Sequence, residues 1–275
     1  MTENPYYNAK KMKIMHERPW ELAATAFRVF GNLYFVGNAD GASWLVDSER
    51  GLLLFDSNYP TAQTMLIDSI WSLGFNPRNI VAIFHTHGHY DHFGATAYLK
   101  NLPGATTYLS AADAKMFRER PELAMLSDAG PTYQELFVPD VEVNDNDRFE
   151  FGNTVIKAVA CPGHTPGATS FIFNVTDGTQ TYIACVHGGA GLNTLCRVYR
   201  EEYGVDWRSD FLESINRHMS LDVDIFLGNH TKQSDTIGKY NRMTSEYNPF
   251  IDKTALRTFL EDLKKKFDDM IASEI

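Results

Sequence analysis

Cysteine is scarce in this chain. There are three in 275 residues, Cys161, Cys185 and Cys196, and none stands in a CxxC pair. Three cannot all pair, so they suit a reducing compartment or one disulfide at most. Long apolar runs are absent too, and none approaches the ~20 residues that span a bilayer. The first twenty residues, Met1 to Trp20, are polar and charged, without the apolar centre of an export signal. As written, the chain is expected in the cytoplasm, and a signal already removed would place it in the periplasm or outside the cell. Basic residues are outnumbered, 25 to 35, for a net charge of −10. A protein that tracks nucleic-acid phosphates needs a basic face. The expected partner is therefore a small molecule, with no nucleic acid and no membrane, and the oligomeric state is open.

What is present is core-forming sequence. Hydrophobic residues make up 44% of the chain and aromatics 13%, which supports a substantial core and excludes disorder. The length allows one large domain or two small ones. Phe27 to Val36 reads as two strands around a Gly31-Asn32 turn, with Ala42 to Val46 and Leu52 to Phe55 as two more. Met65, Leu66, Ile70 and Leu73 give helical spacing over 61–73, with Pro60 near the start and Gly74 as the stop. Asn79 to Phe84 is apolar and β-branched, a buried strand, and 94–102 is closer to a helix. A strand over 106–110 and a helix over 111–118 follow. Residues 119–140 show no clear period and read as a long loop overhanging the site. Strands return at 141–144, 148–151, 154–160, 170–175 and 181–186, then a helix at 207–219 and a strand at 224–227. In the last helix, Leu256, Phe259, Leu260, Leu263, Phe267, Met270 and Ile271 form one apolar stripe. This order suits an α/β architecture of two mixed sheets packed face to face with helices outside.

The run His85-Thr86-His87-Gly88-His89-Tyr90-Asp91-His92 places four histidines and an aspartate within eight residues. Imidazole nitrogen and carboxylate oxygen are ligands that zinc takes. The run lies between a buried strand and a helix, where a rigid scaffold presents side chains. Its spacing offers two ligand sets: His87 and His89 for one ion, Asp91 and His92 for a second beside it. His85, on the strand side, reads as structural or as a support behind the ligands. Two more histidines follow strand ends. His164 sits in Cys161-Pro162-Gly163-His164-Thr165-Pro166-Gly167, a loop fixed by two prolines and two glycines. His230 ends Leu227-Gly228-Asn229-His230. Either alone would be an ordinary loop histidine; beside the first motif both read as ligands.

Together, His87-x-His89-x-Asp91-His92, Pro162-Gly163-His164-Thr165-Pro166-Gly167 and Gly228-Asn229-His230 resemble the metallo-β-lactamase superfamily of zinc hydrolases. Within it the chain is most similar to the third subclass of zinc β-lactamases. Phe27-Arg28-Val29-Phe30-Gly31-Asn32, Ser110-Ala111-Ala112-Asp113 and Asn248-Pro249-Phe250-Ile251-Asp252 look like segments of that subclass. The likeness runs from about Phe27 to the C-terminus. It implies a single domain over 1–275, with an N-terminal arm at 1–20 and a C-terminal helix at 252–272, folded as an αββα sandwich with the site at one edge. It implies two Zn²⁺ per chain, one held by His87, His89 and His164, the other by Asp91, His92 and His230. A water shared by two zincs has its pKa lowered towards ~7. Asp91, besides ligating, would be the catalytic residue that orients that water and takes its proton. The reaction implied is hydrolysis of a cyclic amide, a β-lactam. A lactone or ester hydrolase with the same metal centre is the second reading, and a non-catalytic zinc-containing binding protein the third.

The chain also departs from the pattern. Many superfamily members carry a metal-bridging aspartate after the strand that here ends near Val186. This chain has Cys185-Val186-His187-Gly188-Gly189, with no carboxylate, which fits the lactamase branch. That subclass has a serine in this segment that contacts water or substrate. Gly189 matches it here, or His187 if the register shifts. His187, Gly189, Asn193 and His85 are therefore the candidate substrate-contacting or supporting residues, and His187 or Cys185 could add a ligand. The subclass's C-terminal disulfide has no counterpart, since Ala255 stands where a cysteine is expected. The flavin-bearing branch has a glutamate where His89 stands, so di-iron chemistry is not expected.

Overall fold

In the computed structural model, which describes residues 4–5, 9–102, 104–129 and 135–274, a helix α1 (Ala9–Glu17) and a 3-10 turn at Pro19–Leu22 precede the first sheet. Strands β1 (Phe27–Phe30), β2 (Leu33–Phe35), β3 (Trp44–Ser48) and β4 (Gly51–Phe55) form an antiparallel meander. Its first turn needs Gly31, at φ +51, because a Cβ there would lie 2.1 Å from the Thr176 carbonyl oxygen. Helix α2 (Gln63–Ser72), entered through a 3-10 turn at Pro60–Ala62, leads to β5 (Ile80–Phe84), parallel to β4. Helices α3 (Tyr90–Phe93) and α4 (Thr96–Asn101), strand β6 (Thr106–Ser110), helix α5 (Ala111–Glu119) and strand β7 (Val141–Val143) follow. These complete a seven-stranded sheet in simple chain order, parallel over its last four strands.

The second half repeats the plan. Strands β8 (Arg148–Phe151), β9 (Thr154–Ala160), β10 (Thr169–Thr176) and β11 (Thr181–Val186) make an antiparallel meander. Helices α6 (Arg197–Tyr203) and α7 (Arg208–His218) carry the chain to β12 (Ile225–Leu227), parallel to β11. This second sheet has five strands. Helices α8 (Thr236–Arg242) and α9 (Ala255–Ser273) close the chain.

Strand alternation sorts the side chains into layers. Phe55 and Phe84 of the first sheet and Phe171 and Phe173 of the second meet between the sheets, with Phe55 stacked on Phe173 at 4.6 Å. The alternate residues Leu45, Leu54 and Ile83 face outward onto Leu66 and Ile70 of α2 and Leu99 of α4. On the far side, Cys185 and Phe226 pack against Phe211 and Ile215 of α7 and the α9 stripe of Leu256, Leu260, Leu263 and Phe267. The result is the expected helix–sheet–sheet–helix sandwich of two mixed sheets. Among the described residues, no helix is long and apolar enough to cross a membrane.

Local expectations needed adjustment. The described part of the arm is mostly helical, through α1 and the 3-10 turn after it; residues 1–3 and 6–8 of it lie outside the described residues. The long loop at 119–140 contains two 3-10 turns, Pro121–Ala124 and Leu126–Ala129, while 130–134 again lie outside. Ala42 precedes β3 rather than belonging to it. Asp91 and His92 sit on a short helical turn, since the His92 N–H bonds the His89 carbonyl at 2.9 Å. Helices α6 and α8 had no sequence signal. Each is seven residues long; α6 buries only Tyr199, and α8 buries the polar pair Thr236 and Lys239.

Candidate metal centre

Four strand ends build the site. The loop after β5 brings His87, His89, Asp91 and His92, the loop after β9 brings His164, and the loop after β12 brings His230. The turn after β11 brings the Gly188 backbone beneath them. One backbone bond ties the sheets together here, Thr169 N–H to the Thr86 carbonyl at 2.8 Å, and within the second sheet His187 N–H continues the β11–β12 pairing to the Leu227 carbonyl at 2.9 Å.

His87, His89 and His164 converge, with ring centroids 4.6–4.8 Å apart, and they form a group that could hold a metal ion. His89 Nδ1 and His164 Nε2 face each other at 3.0 Å. Two nitrogens each ~2.0–2.1 Å from a tetrahedral zinc stand roughly 3.3 Å apart, so the spacing fits. The outward nitrogens are anchored: His87 Nδ1 on the Gly188 carbonyl at 3.0 Å and His164 Nδ1 on the Gly191 carbonyl at 2.9 Å. Those anchors set the tautomers and aim the other nitrogen inward. His87 Nε2 is buried without a hydrogen-bond partner, as is His92 Nε2, an arrangement a metal would satisfy.

Asp91 sits between the remaining two histidines. Its Oδ2 is 3.5 Å from His92 Nε2 and 3.4 Å from His230 Nε2, again the spacing of ligands around one ion. His87, Asp91 and His92 also form a group that could hold a metal, so the two sets are adjacent. His92 Nδ1 is held at 2.7 Å by Asp56, whose carboxylate also takes the Thr86 N–H and hydroxyl, both at 2.7 Å. His230 Nδ1 faces Asp40 at 3.5 Å, and Asp40 in turn accepts from Tyr59 and pairs with Lys11.

The electrostatics differ between the sets. Burial, reinforced by neighbouring rings, holds His87 and His89 well below the usual imidazole range, and burial brings His164 down to about 4. These three are neutral and able to donate a lone pair. Burial pushes His92 down as well, but Asp91 and Asp56 outweigh it and lift His92 to about 10. Asp91 is pushed up by burial, yet His92 and His230 hold it well below the usual carboxylate range.

Both sets open on a cavity of about 620 Å³. Met12 of α1, Met125, Leu192, Phe259 and Leu263 give it an apolar wall, and Lys232 and Lys266 bring positive charge to it. Asn193 lines it too. His85, His187 and Gly189 are not among the residues lining it. Both ring nitrogens of His85 are used in the core, on the Tyr108 carbonyl at 2.8 Å and Thr96 Oγ1 at 2.7 Å. His187 lies behind the centre, its ring 5.6 Å from that of His218 and 5.4 Å from that of Phe259. Cys185 is buried and free, as are Cys161 and Cys196, and neither His187 nor Cys185 belongs to a metal-capable group among the described residues. Asp40, Asp56, Asp113, Tyr59 and Lys11 were not anticipated as parts of the site.

Compared with known proteins, residues 36–177 match the model of the Metallo-beta-lactamase superfamily. The chain is similar to BJP-1, a subclass B3 metallo-beta-lactamase of Bradyrhizobium japonicum, at 25% identity and a TM-score of 0.81, covering 94% of this chain and 97% of that one. It is similar to the metallo-beta-lactamase GOB-18 of Elizabethkingia meningoseptica at 28% identity and a TM-score of 0.79, covering 93% and 95%. It is 28% identical to the hydroxyacylglutathione hydrolase of Brucella anthropi over 142 residues, 50% of this chain and 44% of that protein. The chain thus spans less than half the length of that curated relative.

Proposed function

Because the chain belongs to the metallo-beta-lactamase superfamily, we propose that it is a hydrolase working with two zinc ions, opening a cyclic amide of the β-lactam type. The observation that carries this reading is the convergence of two three-ligand sets on one cavity. His87, His89 and His164 would hold one zinc; Asp91, His92 and His230 would hold the other. When bound, the ions supply Lewis acidity towards a carbonyl and a water acidified towards neutrality.

The rest falls to the chain's own residues. Asp91, its side chain 16% exposed at the cavity, is an ionised carboxylate able to orient the water and accept its proton. The Gly188 and Gly191 carbonyls and Asp56 keep the rings aimed, so no reorganisation is needed as the reaction proceeds. Met12, Met125, Leu192, Phe259 and Leu263 exclude bulk water from one side. Lys232 offers a cation to an anionic group on the substrate.

A lactone or ester hydrolase with the same centre is the second reading. It is supported by Gly189, which offers no hydroxyl where the lactamase subclass has serine, and by the Brucella anthropi relative named a hydroxyacylglutathione hydrolase. Zinc-loaded protein assayed on nitrocefin beside a lactone and thioester panel separates the two. Nitrocefin turnover that disappears on chelation supports the first. Turnover of the panel alone replaces it with the second, and turnover of nothing by fully loaded protein refutes both.

A further inference from the structure

The segment Ser110-Ala111-Ala112-Asp113 ends β6 and opens α5, and its aspartate has no part in the chemistry above. Asp113 is 0% exposed, yet its carboxylate meets only neutral donors. Oδ2 accepts the Gly88 N–H at 2.7 Å and the Thr165 hydroxyl at 2.8 Å, and Oδ1 accepts the Gly167 N–H at 2.7 Å. Gly88 separates His87 from His89, and Thr165 follows His164. One carboxylate therefore grips two loops, from opposite sheets, that together present the three-histidine set.

The fit is close on both sides. A Cβ on Gly88 would lie 2.8 Å from the Phe117 ring, and one on Gly167 would lie 1.9 Å from Ser110 Oγ. The two glycines let backbone N–H groups reach the start of α5, where Ser110 Oγ caps the Asp113 N–H at 3.1 Å. All three partners donate, so the group between them must be acceptor-only, which a carboxylate is and an amide is not. We infer that Asp113 is the positioning residue of the three-histidine set, fixing His87 and His89 against His164 at the spacing one metal ion needs.

This rests on the metal reading above, and zinc affinity tests it. The two stepwise zinc constants of the full chain are measured against a chromogenic chelator, with thermal unfolding of the zinc-free protein alongside. The variants are Asp113→Asn, Thr165→Val and Thr165→Ser. In Asp113→Asn one zinc constant weakens by ~10–100-fold, the usual loss when an outer-shell partner is removed, while the other stays within about threefold. Thr165→Val weakens the same constant by less, and Thr165→Ser, which keeps the hydroxyl, restores it. The threonine pair decides the matter should Asp113→Asn not fold. The proposal is overturned if wild type takes up two zincs and a folded Asp113→Asn does so with both constants unchanged. Equal weakening of both constants, with Thr165→Ser no better than Thr165→Val, overturns it as well. A wild type that takes up no zinc overturns the metal reading and this assignment with it.

Discussion

Asp91→Asn separates metal holding from proton transfer. The substitution replaces one carboxylate oxygen by NH₂ and keeps the volume, at a side chain with Oδ2 3.5 Å from His92 Nε2 and 3.4 Å from His230 Nε2. The remaining amide oxygen can still ligate, so zinc binding at this set weakens without being abolished. It cannot take a proton from water, because a neutral amide is a very poor base. Loss of a general base alone lowers rates by ~10²–10⁴-fold, which is about 2.7–5.4 kcal/mol at 1.36 kcal/mol per decade. The assay is kcat at saturating substrate and saturating zinc, with metal content measured on the same sample by elemental analysis. The expected result is two zincs per chain, an unchanged fold by circular dichroism, and kcat lowered by two to four decades. A variant with full zinc and kcat within a few-fold of wild type would refute the assignment of Asp91 as proton acceptor.

His164→Ala removes one of three ligands and is expected to lose one zinc and most turnover. His85→Ala removes two core hydrogen bonds and is expected to lose ~2–4 kcal/mol of stability with turnover per folded, loaded molecule nearly unchanged; equal turnover losses would mean the site is misplaced. Zinc uptake by the Asp91 set should release a proton at neutral pH. Burial alone would keep His92 neutral, but Asp91 and Asp56 raise it to about 10, so below that pH a proton competes with the metal. The affinity of this set then falls by up to ~tenfold per unit of falling pH, and calorimetry in two buffers of different ionisation enthalpy reads the proton; no buffer dependence would refute it. Lys232→Ala should raise KM several-fold for a substrate bearing a carboxylate and leave kcat alone, the pattern of lost uniform binding; an unchanged KM would remove Lys232 from substrate recognition.

The proposed ligands were legible because their signal is local. His87, His89, Asp91 and His92 occupy one short run, and His164 and His230 each follow an apolar strand, so residue type and strand position suffice to nominate them. The long α9 stripe was legible for the same reason. What escaped notice depends on contacts made across the fold. Asp40 reaches His230, and Asp113 reaches Thr165 and Gly167, over more than fifty residues of chain. His187, adjacent in sequence to the Gly188 carbonyl that holds His87, packs its own ring against His218 and Phe259 instead of lining the cavity. Yet the supporting carboxylates do leave a trace. Asp56 ends the apolar run Leu52 to Phe55, and Asp113 is fully buried three residues past β6. A carboxylate taken out of water costs several kcal/mol unless donors wait for it. An aspartate at the end of a buried strand is therefore itself evidence of an organised set of N–H and O–H groups, and here both such aspartates sit behind the histidines.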